Sequence, residues 1–134
     1  MARTYSVFIS HSWDHVDDLR ALRDLLKKRG YFHVEFEESS PEEPINSENM
    51  EYIKRRLREK ISNSDIVLGI AGVYASHSDW IEWELDTALK KNVPIVGVIP
   101  RGQLYVSSVV SSRAEECVRW YTESIVDAIR KHAK

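Results

Sequence analysis

Residues 65–99 read DIVLGIAGVYASHSDWIEWELDTALKKNVPIVGVI, and the two ends of that stretch decide the fold class. Residues 65–71 (DIVLGIA) and 93–99 (VPIVGVI) are almost unbroken apolar runs, each holding one glycine. A strand wetted on one side alternates apolar and polar residues, whereas a strand covered on both faces has no reason to, because every side chain enters a core. Between the two runs, Ile81, Leu85, Ala88 and Leu89 recur at the spacing of one helix face. Asp79 and Glu82 have the spacing of a capping box at its start. Buried strand, helix, buried strand is the unit that joins parallel strands by a crossover.

The flanking sequence extends the pattern in both directions. Residues 5–10 (YSVFIS) are β-branched and aromatic and predict a strand. From Asp14 the period changes: Val16, Leu19, Leu22, Leu25 and Leu26 form a helical stripe, with Ser12 or Asp14 to cap its start and Gly30 to end it. Residues 31–36 (YFHVEF) alternate, Phe32, Val34 and Phe36 against Tyr31, His33 and Glu35, which suits an edge strand. An acidic irregular stretch (EESSPEEPINS, 37–47) precedes a helix from about Glu48, whose expected buried stripe is Met50, Ile53, Leu57 and Ile61. The last helix is expected from about Thr122, with Ile125, Ala128 and Ile129 inward, and a short fifth strand within 114–119. Alternating strands and helices imply an α/β fold: a flavodoxin-like three-layer sandwich around a five-stranded parallel sheet of order 2-1-3-4-5. Residues 1–134 are read as one domain, with no internal repeat or low-complexity tract.

The composition excludes several classes. Charged residues make up 30% and hydrophobic ones 43%, too apolar for a disordered chain, and the formal net charge of -2 gives no bulk attraction to nucleic acid or anionic membrane. Cys117 is alone, so neither a disulfide framework nor a thiolate metal cluster is expected, and a reducing cytoplasm fits best. No apolar run approaches the roughly 20 residues of a spanning helix. The chain is read as soluble and unprocessed, without membrane or nucleic-acid partners.

In an open parallel sheet the ligand crevice lies beyond the carboxyl ends of the strands, where strand order reverses. For order 2-1-3-4-5 that is between the first and third strands. The segments leaving them are Ser10, His11 and Ser12 on one side and residues 72–78 on the other. Trp80 and Glu84, four residues apart, share one face of the following helix and would meet the crevice side by side. An indole face beside a carboxylate suits a flat cationic ring, such as the nicotinamide of an oxidised dinucleotide. The same residues also fit a plainer account, with Trp80 as core cover and Glu84 as a solvated surface acid.

Three segments resemble the Toll/interleukin-1 receptor (TIR) superfamily, and more closely its bacterial TIR-like branch, which includes the signal-producing component of Thoeris antiphage systems. They are YSVFISHSWDH at 5–15, DWIEWELDTALKKNVPIVGVI at 79–99 and RWYTESIVDAI at 119–129. The resemblance implies an enzyme that cleaves NAD as substrate, with no cofactor, releasing nicotinamide and leaving an ADP-ribose-type or cyclic ADP-ribose-type signal. It assigns the catalytic role to Glu84 and substrate-binding roles to Phe8, Ser10, His11 and Trp80, each of these four also explicable as packing or turn capping. It further implies self-association and a separate effector that senses the product. The charge pattern is compatible with head-to-tail contact. Glu35, Glu37, Glu38, Glu42, Glu43, Glu48 and Glu51 precede Lys54, Arg55, Arg56, Arg58 and Lys60, though a solvated helix face with its i,i+4 pairs is the better account of the basic run.

Other readings of the same fold are weaker. A phosphoacceptor receiver needs acids where this chain has Ser10–His11 and Ala71–Gly72, and a flavodoxin needs a glycine-bearing phosphate loop after the first strand. A metal hydrolase would have to recruit His11, Asp14, His15 and His77. A nucleoside deoxyribosyltransferase-like enzyme and a TIR-like interaction module without turnover both remain open.

Overall fold

A computed structural model describes residues 3–11, 16–37, 49–72, 75 and 78–134. The chain runs β1 (Thr4–Ser10), α1 (Val16–Lys28), β2 (His33–Phe36), α2 (Met50–Ser62), β3 (Ile66–Ile70), α3 (Asp79–Lys90), β4 (Ile95–Ile99), α4 (Ser108–Ser111), β5 (Glu116–Arg119) and α5 (Thr122–His132). All strand pairs are parallel and the order is β2-β1-β3-β4-β5, as the sequence pattern predicts. β3 and β4, the two apolar runs, are buried along their whole length, while β2 at the edge exposes His33 and Glu35.

Period-two alternation sends successive side chains to opposite layers. Val7 and Ile9 of β1 join α1 and α5 through Leu19, Leu22, Ile125 and Ile129. Phe8 joins the other layer, with Leu57 and Ile61 of α2 and Ile81 and Leu85 of α3. Ser10, two residues on from Phe8, therefore faces α2 and α3. Its register partner on β3 is Gly69, which pairs in turn with Gly97 of β4.

Those two glycines set the height of the α3–α4 layer above the sheet. A Cβ on Gly69 would lie 3.1 Å from Val110 and 3.5 Å from Leu85, and one on Gly97 would lie 2.5 Å from Cys117 Sγ and 3.0 Å from Val110. Without side chains there, Leu85 and Val110 rest almost on the strand backbones.

Several local expectations are corrected. The N-cap of α3 is Ser78, whose Oγ accepts from the Ile81 amide at 3.2 Å. Asp79 is thus inside the helix, and Glu82 reaches Arg113 instead of closing a capping box. The left-handed residue after α1 is Tyr31, at φ 58°, rather than Gly30. Leu89 is 48% exposed and Met50 51% exposed, because the core-facing arcs of α3 and α2 are narrower than their apolar stripes. The expected caps Ser12 and Asp14, and Glu48 at the expected start of α2, lie outside the described residues. α5 buries Val126 in addition to the three residues expected. No helix among the described residues is long and apolar enough to cross a membrane.

Candidate active site

The switch point between β1 and β3 brings together residues from two distant parts of the chain. Ser10 ends β1 on its α2–α3 side and is fully buried. Glu84 lies on the second turn of α3 and is 4% exposed. The Ser10 hydroxyl donates to Glu84 Oε1 at 2.8 Å. The chain folds this way locally because Leu85 sits over Gly69, so the residue before it on the helix falls over the neighbouring strand, at Ser10. Taking a carboxylate out of water is unfavourable unless hydrogen bonds replace the lost hydration, and the hydroxyl supplies one.

Trp80 lies one turn earlier, at the mouth end of α3, and is half-buried against the core formed by Phe8, Val67 and Ile81. It meets Trp83 edge to face, with ring centroids 5.8 Å apart and planes at 90°. Trp83 is in turn covered by cations from α2: Lys54 Nζ is 5.5 Å and Arg58 Cζ 5.9 Å from its ring centroid. The two tryptophans of the segment therefore differ in kind. Trp83 lies against the cations of α2, and Trp80 lies one turn before Glu84 on α3.

The remaining candidates are placed as follows. His11, just past β1, is buried, and its Nδ1 lies 3.4 Å from the Ile9 carbonyl oxygen. Phe8 is 1% exposed within the α2–α3 core, beneath the level of Ser10. Asp14, His15 and His77 of the metal reading lie outside the described residues. Among the described residues no group of three or more His, Cys, Asp or Glu could hold a metal ion.

The outer flank of α3 is fixed by Arg113, which follows α4. Its Nε bonds Asp86 Oδ1 at 2.6 Å, Nη2 reaches Glu82 Oε1 at 3.3 Å and Nη1 donates to the Val109 carbonyl at 2.9 Å. The Asp86 hydrogen bond raises the Arg113 pKa further above its ordinary value, so the clamp is always charged. Nothing in the local pattern around Arg113 reveals this role; the chain must cross from β4 to β5 before Arg113 comes alongside α3.

Parallel strands in the order 2-1-3-4-5, flanked by helices, with a helix-borne carboxylate bonded to a strand-end hydroxyl at the reversal point, define a flavodoxin-like α/β domain. The family model for the Thoeris protein ThsB, TIR-like domain, matches residues 8–105, and the chain belongs to that family. No curated protein matches the sequence. Among solved structures, the chain is similar to a 2-deoxyribosyltransferase from Bacillus psychrosaccharolyticus, with a TM-score of 0.62 at 14% identity, covering 91% of this chain and 90% of that one. It is also similar to the Clostridium botulinum CMP N-glycosidase, with a TM-score of 0.57 at 11% identity, covering 94% and 98% of the two chains. At such identities the likeness is one of fold.

Proposed function

We propose that the protein cleaves the bond between nicotinamide and ribose in NAD, with Glu84 as the catalytic carboxylate, and that the ADP-ribose-type or cyclic ADP-ribose-type product is a signal in bacterial antiphage defence. The observation that carries this reading is the buried Glu84 carboxylate, oriented by the Ser10 hydroxyl at 2.8 Å on the Trp80 flank of α3. Membership of the Thoeris TIR-like family supports it. So does the fact that both structural neighbours named above are described as acting on nucleosides or nucleotides, one by name as an N-glycosidase.

The chemistry suits a single acid. Nicotinamide leaves a cationic precursor as a neutral molecule, taking the electron pair of the breaking bond, so no general acid is required. The ribose carbon left behind is oxocarbenium-like, and a fixed carboxylate stabilises that charge or holds the ribose hydroxyls. Trp80 walls the nicotinamide ring, Ser10 holds Glu84, His11 borders the reacting end and Phe8 packs beneath them. Water arriving at the ribose carbon gives linear ADP-ribose, whereas a nucleophile of the adenine gives a cyclic isomer. NAD is then the substrate, no cofactor is needed, and a separate effector reads the product in the cytoplasm; activity accompanies self-association.

The test is nicotinamide release from NAD by the purified protein, at low and high protein concentration and with phage-infected extract as trigger. Glu84→Gln should reduce release by about 10²-fold or more, the scale of losing one preorganised electrostatic group. One observation favours a second reading, a binding module without turnover: a carboxylate only 4% exposed and bonded to β1 also serves as a structural tie between α3 and the sheet. Absence of release in every condition, with Glu84→Gln less stable than the parent, would establish the module and remove the enzyme. Turnover of deoxynucleosides in place of NAD would instead identify a deoxyribosyltransferase-like N-glycosidase.

A further inference from the structure

We propose that Lys54 and Arg58, on the α3-facing flank of α2, form a pyrophosphate subsite beside the Trp80–Glu84 crevice, so that the site selects a dinucleotide over a nucleoside. The inference rests on the reading of that crevice as a nicotinamide site and adds the residues that would recognise the rest of the substrate.

The placement follows from topology. α2 and α3 each follow a parallel strand, so both begin at the crevice end of the sheet. Lys54 and Trp83 are each the fifth residue of their helix, and they lie at the same depth. The ring spacing of 5.8 Å from Trp80 to Trp83 and the 5.5 Å from Trp83 to Lys54 Nζ put the ammonium within about 11 Å of the Trp80 ring. In a nicotinamide dinucleotide one ribose separates the ring from the first phosphate. A cation no farther away than this, on the α2–α3 seam, is within reach of that phosphate.

The charge of the seam supports the same ligand. Arg58 continues the line one turn deeper over the same indole. Among the described residues, neither Lys54 nor Arg58 forms an ion pair with a carboxylate, whereas Arg56 of the same helix is paired with Glu59. The Trp83 ring supports both cations through its face and leaves their N–H groups able to donate to phosphate oxygens. A nucleoside has no group for them to bind.

The experiment measures binding and turnover separately. ADP-ribose binding by calorimetry, and KM for NAD against nicotinamide riboside, are compared for the parent, Lys54→Met, Arg58→Met, Lys54→Arg and the remote control Lys131→Met, with melting curves for each. Each Met variant should weaken ADP-ribose binding about tenfold, the consequence of losing one charge-assisted phosphate contact. The preference for NAD over nicotinamide riboside should fall by a similar factor, with Lys54→Arg retaining most of it. Loss of both should also flatten the salt dependence of ADP-ribose binding. ADP-ribose binding by the parent without any NAD turnover would sustain the subsite and sink the enzymatic reading. NAD turnover by the parent with unchanged affinity and preference in folded Lys54→Met and Arg58→Met would do the reverse, and failure of the parent to bind ADP-ribose would overturn the subsite.

Discussion

The Ser10–Glu84 hydrogen bond can be weighed by a double-mutant cycle on stability, independently of any activity. Ser10 is fully buried, so Ser10→Ala removes the donor without admitting water, and the partner it abandons is a carboxylate only 4% exposed. A hydrogen bond to a charged group contributes about 1.5–3 kcal/mol. For 134 residues the entropy of unfolding is about 0.28 kcal/mol/K at roughly 2.1 cal/mol/K per residue, so a loss of about 2 kcal/mol lowers Tm by about 7 °C. Glu84→Gln keeps a neutral acceptor for the hydroxyl and relieves the burial of charge, two effects of opposite sign, and should stay within about 1 kcal/mol of the parent. In the Glu84→Gln background, Ser10→Ala then breaks only a neutral hydrogen bond, about 0.5–1.5 kcal/mol. The coupling energy expected from urea unfolding of the four proteins is therefore about 1 kcal/mol. Additivity within about 0.3 kcal/mol would mean that the hydroxyl does not hold the carboxylate, and the argument from Ser10 to an oriented Glu84 would fail.

Gly97→Ala should cost about 1–3 kcal/mol by overpacking, since the new Cβ would meet Cys117 Sγ at 2.5 Å, and Cys117→Ala in the same chain should restore part of it on a urea curve. Arg113→Ala should lower stability by about 1 kcal/mol and Arg113→Lys should recover little of it, because an ammonium cannot reproduce the fork that bonds Asp86, Glu82 and the Val109 carbonyl together. The Arg29 hydrogen bond holds the Glu123 carboxyl below its ordinary pKa. A depressed folded-state value stabilises above the unfolded pKa and is lost as pH falls through the folded one. The stability gap between the parent and Glu123→Gln should accordingly be constant above neutrality, shrink below about pH 4.3 and close in stronger acid, as followed by circular dichroism.

What was legible in the sequence was whatever depends on burial along a single element. The unbroken runs 65–71 and 93–99 announced strands covered on both faces, and the alternation of 31–36 announced an edge; β3, β4 and β2 occupy those places. The strand order then placed the reversal point between β1 and β3, and helix periodicity put Trp80 and Glu84 on one side of α3. Features that depend on contact between elements were not legible. The Ser10–Glu84 bond spans 74 positions and exists because Gly69 lets α3 descend. Trp80 and Trp83 are the same residue type on one helix, and only the fold shows that Trp83 is the one covered by cations of α2. At Ser78, Asp79 and Glu82, two overlapping caps were compatible with the residues; the hydroxyl won, and Glu82 was drawn outward by Arg113, a partner 31 positions away. Tyr31 adopts the left-handed conformation although Gly30 is adjacent, and its carbonyl accepts from Arg130 of α5 at 3.0 Å, a partner 99 positions away.

The fold by itself leaves the substrate undecided, because a carboxylate at the reversal point of a parallel sheet can face the glycosidic carbon of a nucleoside as readily as that of a dinucleotide. In the proposed reaction Glu84 and Ser10 would act on the atoms common to both, the ribose and its leaving base, and no change in their geometry would distinguish the two. Discrimination must therefore come from groups that meet what only one substrate possesses. The two phosphates of a dinucleotide are such a feature, and they carry charge that a nucleoside lacks. In the proposed subsite, the pair of cations laid on the Trp83 face supplies the charge that this requires. On this proposal substrate class would be set by α2, one helix removed from the carboxylate on α3, and the two could be altered separately: substitutions at Lys54 and Arg58 should move the preference between phosphorylated and phosphate-free nicotinamide glycosides, whereas substitution at Glu84 should lower turnover of both together.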